Sequence, residues 1–309
     1  MLVEFVTDAN HNFLSLFAGL LNVPVENQQL LVPASLGEGF VKLIDLDKDF
    51  RMLIHRYRLK EELVLKRIGT NEPASWISLI FYSNEEPVTL VSSDQAVQQF
   101  SRFNDQAIQI ASNNLDSVIT FPAHSEIYFT VVALSAKNLH QLLKLNRPDP
   151  LIETIIRPEG SFLFYESLSA EAQIILKQLA EPQQNGLDNF FYRTKVQSLL
   201  YYVFSKLHNR QSTLHQPINK ADTEKLSLIR TAVLANLAQP PSLPQLAAMA
   251  GMSETKMKEL FRQVFGDSIY NYYQTARMEE AAYLLRHKGY SVSEAGYALG
   301  FTNLSHFTR

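Results

Sequence analysis

Cysteine is absent from the chain. That excludes disulfide bonds, thiolate metal sites and a cysteine nucleophile, and it fits a reducing compartment. Histidine is sparse and scattered: His11, His55, His124, His140, His208, His215, His287 and His306 form no H-x-H pair. A His-and-carboxylate metal centre is therefore not expected, and no cofactor is expected either. Catalytic and nucleotide fingerprints are missing as well. There is no G-x-S-x-G and no P-loop, and Gly37-Glu38-Gly39 fails G-x-G-x-x-G at its third glycine. Long apolar runs are missing too. The run Phe13 to Leu21 is far too short to span a bilayer, and no basic residue precedes it. Neither a membrane span nor a signal peptide is expected, and the expected location is the cytoplasm.

What is present describes an ordinary globular chain. Of 309 residues, 46% are hydrophobic and 19% charged. That length allows two domains or three and excludes a wholly disordered protein. Net charge is −3, too little for an indiscriminate polycation. It is unevenly spread: residues 224–309 carry nine Lys+Arg against seven Asp+Glu, a net of +2, which leaves −5 for the rest. A mildly basic C-terminal part behind an acidic body hints at a polyanion partner.

From about 38 to 134 the pattern is short and strand-like. Phe40–Leu46 and Phe50–Tyr57 flank Asp47-Lys48-Asp49 and predict a hairpin. Further strands are predicted at Leu63–Ile68, Trp76–Tyr82, Val88–Val91, Ala107–Ala111, Val118–Phe121 and Glu126–Leu134. Close spacing without intervening helices favours an antiparallel sandwich or barrel. From about 169 the period turns helical. Ser169 caps one helix, and a second carries the stripe Val196, Leu199, Leu200, Val203, Phe204 and Leu207. Polar residues 209–222 read as a linker. The expected fold is α+β. Residues 1–165 form a β-rich domain, 166–209 a helical pair, 210–222 a linker and 223–309 an all-α domain.

The last part contains one unit twice. Leu243, Leu246, Ala247, Ala250 and Gly251 recur 49 residues on as Val292, Ala295, Gly296, Leu299 and Gly300. Each copy reads helix, glycine, one apolar residue (Met252 or Phe301), a hydroxyl cap, then a second helix. Ser242 with Gln245, and Ser291 with Glu294, supply matching capping boxes. This is helix-turn-helix punctuation: the glycine takes a positive φ, and small residues let two helices approach closely. The joining helix, Ser268 to Arg286, has an apolar face expected to include Met278, Ala281, Ala282 and Leu285. Its 19 residues span about 28 Å at 1.5 Å rise each, against about 34 Å between successive major-groove faces of DNA.

These residues resemble a known family. Leu246-Ala247 through Gly251-Met252-Ser253, Phe261-Arg262 with Gly266-Asp267-Ser268, and Arg277-Met278 with Ala281 and Leu284-Leu285 are similar to segments of the AraC/XylS regulators' DNA-binding domain. Gly300-Phe301-Thr302-Asn303 with Phe307-Thr308-Arg309 resembles its second helix-turn-helix. The resemblance covers about 87 of 309 residues. It departs at the end: the family continues past this arginine, so the second reading helix is expected to be incomplete and its binding impaired. The resemblance implies base contacts from Thr255, Lys256, Lys258 and Glu259, and from Ser305, His306 and Arg309. Arg and Lys suit guanine O6/N7, Glu suits cytosine N4, and Ser or Thr can serve either role. Arg262 and Thr308 are expected on backbone phosphates. The implied partners are promoter DNA, a small-molecule effector and a second protomer, with RNA polymerase beyond them.

For the β-rich domain, the family plan implies a cupin-like barrel that senses the effector. His55 and Arg56 face opposite ways on one strand, so one points inward, and an inward Arg56 suits an anionic ligand. Tyr57 and Trp76 are candidates for the pocket wall or for plain core. The stripe carrying Val196, Leu200, Val203 and Leu207 is a candidate dimer face or the seal beneath the barrel. Two rivals stand beside the regulator: a cupin-type enzyme whose helices are structural, and an interaction module with a degenerate DNA reader.

Overall fold

A computed structural model describes residues 1–6, 13–70, 75–84, 88–91, 97–100, 107–157, 160–181, 186–210 and 218–301. The chain divides into two compact units, Met1–Lys220 and Ala221–Arg309.

The first unit runs β1 (Leu2–Val6), α1 (Phe13–Leu21), β2 (Gln29–Leu31), β3 (Gly37–Asp47), β4 (Phe50–Leu59), β5 (Leu63–Ile68), β6 (Trp76–Tyr82), β7 (Val88–Val91) and β8 (Val97–Phe100). It continues with β9 (Ile108–Ser112), β10 (Ser117–Phe121), β11 (Glu126–Ser135), α2 (Ala136–Leu143), α3 (Pro150–Ile156), β12 (Leu163–Glu166), α4 (Ala170–Ala180) and α5 (Asp188–His208). The hairpin expected around Asp47-Lys48-Asp49 is β3–β4, with Asp47 opposite Phe50 and Asp49 at φ 55°. The strands form a seven-stranded sheet, β12-β9-β6-β11-β4-β3-β2, a three-stranded sheet, β1-β5-β10, and the pair β7-β8. All described pairings are antiparallel except β1 with β5.

Alternation sorts the large sheet into two faces. Met52 and Ile54 of β4, Ile77 and Leu79 of β6, and Val132 and Leu134 of β11 share one core with α2, α3, α4 and α5. The intervening residues point the other way, toward the small sheet, because successive strand side chains alternate.

The helical stripe belongs to that core. Val196 is 0% exposed, Leu200 3%, Val203 1% and Leu207 1%. They pack with the sheet's apolar face, which corrects the dimer-face assignment of these four residues. One helical face has one partner, and the sheet takes it. Polar ties hold α5 in place: Arg193 meets Asp47 at 2.9 Å, His208 Nδ1 meets Asp149 Oδ2 at 2.5 Å, and Arg210 Nε donates to Glu166 at 2.7 Å.

The second unit is helical: α6 (Lys220–Ala235), α7 (Leu243–Ala250), α8 (Glu254–Phe265), α9 (Ile269–His287) and α10 (Val292–Ala298). Among the described residues, no helix is long and apolar enough to cross a membrane.

Candidate DNA-reading unit and buried cavity

The expected punctuation closes each corner of the second unit. Ser242 N–H donates to Gln245 Oε1 at 2.8 Å, and Ser291 N–H to Glu294 Oε2 at 2.8 Å, so both capping boxes form. Gly251 and Gly300 take φ of 56° and 75°. Met252 N–H then donates to Ala247 O at 3.0 Å, and Phe301 N–H to Gly296 O at 2.9 Å. The turn bond after each glycine thus recurs in both copies. The two glycines differ in one respect. A Cβ at Gly251 would meet nothing within 4 Å, whereas one at Gly300 would meet Ala238 O at 2.5 Å. Gly300 is required by close approach as well as by its φ.

Helix α8 begins at Ser253, whose hydroxyl accepts from Lys256 N–H at 3.3 Å. Met257, Leu260, Phe261 and Val264 bury one side. Thr255, Lys258 and Arg262 are exposed on the other, and Glu259 is half-buried. Positions 255, 258, 259 and 262 follow i, i+3, i+4 and i+7, one stripe of a helix. Lys256 is turned aside: its Nζ lies 2.8 Å from buried Asp222 at the start of α6. Lys258 holds Glu254 at 3.0 Å across one turn. The candidates Ser305, His306, Thr308 and Arg309 lie outside the described residues.

The joining helix α9 is continuous over 19 residues, one residue later than expected. Its buried face differs from the expected one. Ile269, Tyr272, Tyr273 and Ala281 are buried, while Met278 and Leu285 are 45% and 37% exposed. Buried Arg277 fills the gap in that face. Its Nε donates to Leu299 O at 2.8 Å, and its guanidinium lies 3.7 Å from the Phe301 ring centroid. Arg277 therefore fixes the second corner to the rod. Nothing in the sequence around Arg277 signals this role, because its partners Leu299 and Phe301 lie more than twenty residues away.

Two such corners on one unbroken rod define a double helix-turn-helix domain, a DNA-binding class. The C-terminal unit is an AraC-type helix-turn-helix domain. Residues 246–309 match the family described as "Helix-turn-helix domain". Regulatory protein PchR of Pseudomonas aeruginosa is 34% identical over 160 residues, 51% of this chain and 53% of PchR. The transcriptional activator RhaR of Cronobacter sakazakii is 26% identical over 140 residues, 45% of this chain and 48% of RhaR. The chain spans about half the length of these two relatives. Among solved structures, ToxT of Vibrio cholerae overlays 84% of this chain and 92% of its own at 12% identity and a TM-score of 0.33.

The first unit contains a partly open cavity between its small and large sheets. Phe5 and Val6 of β1, Phe13 of α1, Leu65 and Arg67 of β5, and Ser117 and Ile119 of β10 line one side. Leu43, Arg51, Leu53, His55, Ser78, Ile80, Phe129 and Val131 of the large sheet line the other.

Of the four pocket candidates, His55 lines this cavity and three do not. Arg56 faces outward, exposed, over the Tyr128 ring. The cations that line it are Arg51 and Arg67 instead, and Arg67 is only 4% exposed. Tyr57 is core against Phe17, and burial raises its hydroxyl well above the usual phenol range. Trp76 is buried core, with Arg51 over its ring at 4.7 Å. A signal for Arg67 was present: it follows Leu63 and Leu65 at period two, in register with two buried leucines. Among the described residues, no cluster of three or more His, Asp or Glu side chains stands close enough to hold a metal.

His55 stacks on Phe129 at 4.1 Å, and Phe13 lies 5.1 Å away. Burial lowers its pKa from 6.5 to about 3. The unfolded chain therefore binds a proton near pH 6.5 that the folded chain refuses until pH 3. Stability from this residue is complete above pH 6.5 and is lost as pH falls, by roughly 2 kcal/mol at pH 5. Denaturant titrations of wild type and His55→Phe at pH 7 and pH 5 should show the variant losing less stability on acidification. Equal losses in the two proteins would contradict it.

Proposed function

We propose that the chain is a sequence-specific transcription regulator that reads promoter DNA through its C-terminal unit and receives a small-molecule signal in the cavity of its N-terminal unit. The observation that carries this reading is the repeated corner, with one hydrogen-bond pattern at Met252 and Phe301, on a continuous rod. Thr255, Lys258 and Glu259 read base edges and Arg262 holds a phosphate. Lys256 braces α8 on α6 and reaches the DNA only if it releases Asp222. The protein acts in the cytoplasm as two protomers presenting a promoter to RNA polymerase. The outer side of α5 with the residue before it, where Leu187, Phe190 and Tyr201 are exposed, is a surface for a second protomer. A largely apolar cavity with no metal-ligand cluster among the described residues suits a sensor better than a cupin-type enzyme.

The test begins with DNA fragments selected from genomic DNA by the full chain. Affinity for a selected fragment should fall steeply with salt, since each neutralised phosphate releases counterions, giving a log–log slope of about −0.9 per contact. Selected and random fragments that bind equally at every salt concentration would defeat the reading.

A further inference from the structure

We propose that the cavity of the N-terminal unit takes a monocarboxylate with an apolar body, its carboxylate held by Arg67. This rests on the sensing role given to that cavity above. Three observations converge. The wall is largely hydrocarbon and aromatic, with Phe5, Phe13 and Leu53 among its members, which suits an alkyl or aryl body. Among the described residues, the ionisable side chains that line it are Arg51, His55 and Arg67, with no carboxylate. Arg67 is 4% exposed, and its Nε is buried without a hydrogen-bond partner. A guanidinium out of water with an unused donor is unfavourable until an anion meets it.

The other groups narrow the choice. Arg51 sits over Trp76, and burial keeps His55 neutral. Tyr82, Tyr165 and Asp116 lie near enough to favour the Arg67 charge; Asp116 itself is exposed and accepts from Gly69 N–H at 2.7 Å. One buried fork of donors, with Ser117 opposite it across the β10–β5 pair, matches one planar carboxylate. A doubly charged phosphate would bring more charge than this site answers.

The chain carries its own reporter, because Trp76 is the single tryptophan and sits beneath a cavity-lining arginine. Decanoate, decanol, decyl phosphate and glucose are titrated into the full chain, with Trp76 fluorescence and melting temperature as readouts. Decanoate should bind saturably and raise the melting temperature. Decanol and decyl phosphate should bind at least about 10-fold more weakly, and glucose should not bind. Arg67→Met should weaken decanoate by about 10- to 100-fold, the range for a lost charged hydrogen bond. Its melting temperature without ligand should be no lower than wild type, since a buried cation with an unused Nε donor is gone. Arg67→Lys should fall between, keeping the charge but losing the fork.

Decanol binding as tightly as decanoate, Arg67→Met binding decanoate unchanged, or no saturable response to decanoate would each overturn the assignment. Glucose binding that alters promoter affinity would overturn the carboxylate and leave the sensor standing. Decanoate held by Arg67 without any change in promoter affinity would confirm the ligand class and remove the sensor.

Discussion

Replacing Thr255 and Lys258 together by alanine is expected to weaken binding to a selected promoter fragment by roughly 2–6 kcal/mol, the sum for two base contacts at about 1–3 kcal/mol each. Both side chains are exposed on α8, and neither is part of its buried side. The Ser253 cap is untouched, so the helix should persist. The pair between Lys258 and Glu254 does not stand in the way: both side chains are about half exposed, and such a surface pair contributes at most about 1 kcal/mol. Binding to random DNA should fall far less, because base edges contribute little there. Arg262→Ala should behave differently, lowering specific and random binding alike and reducing the salt slope by about one. Competition binding against random duplex measures both effects. A double variant that loses the same factor on both DNAs would remove base reading from α8.

Leu200→Ala is expected to destabilise the first unit by about 2–5 kcal/mol, with a loss that does not depend on protein concentration. Leu200 is 3% exposed and shares a core with the sheet, Val196, Val203 and Leu207. A cavity left in that core cannot be refilled from solvent. Were this stripe a contact between protomers, the same substitution would weaken association and leave the monomer's unfolding midpoint unchanged. Denaturant unfolding at two protein concentrations separates these outcomes. Phe190→Ala, on the exposed side of the same helix, should leave the midpoint almost where it was.

Sequence reading went furthest where local rules suffice. The caps at Ser242, Ser253, Ser268 and Ser291 are set by residues within one turn of each other, and all four cap their helices. The β3–β4 hairpin is likewise local. Reading failed where a residue's role depends on a distant partner. His55 and Arg56 were known to face opposite ways, but the inward one could not be chosen from β4 alone. The small sheet chose it, by bringing β5 and its Arg67 across from His55. Arg277 is a parallel case. Its partner, the carbonyl of Leu299, is 22 residues away.

The sequence by itself determined the C-terminal unit in outline: two corners, their glycines, and a rod of fixed length. Those features follow from helix periodicity and capping, which act over three or four residues. Only the tertiary structure decided which cations line the cavity, which way Lys256 turns, and that the α5 stripe lies against a sheet. An apolar stripe reports that it will be covered and says nothing of what covers it. That depends on which surfaces the rest of the chain brings within reach.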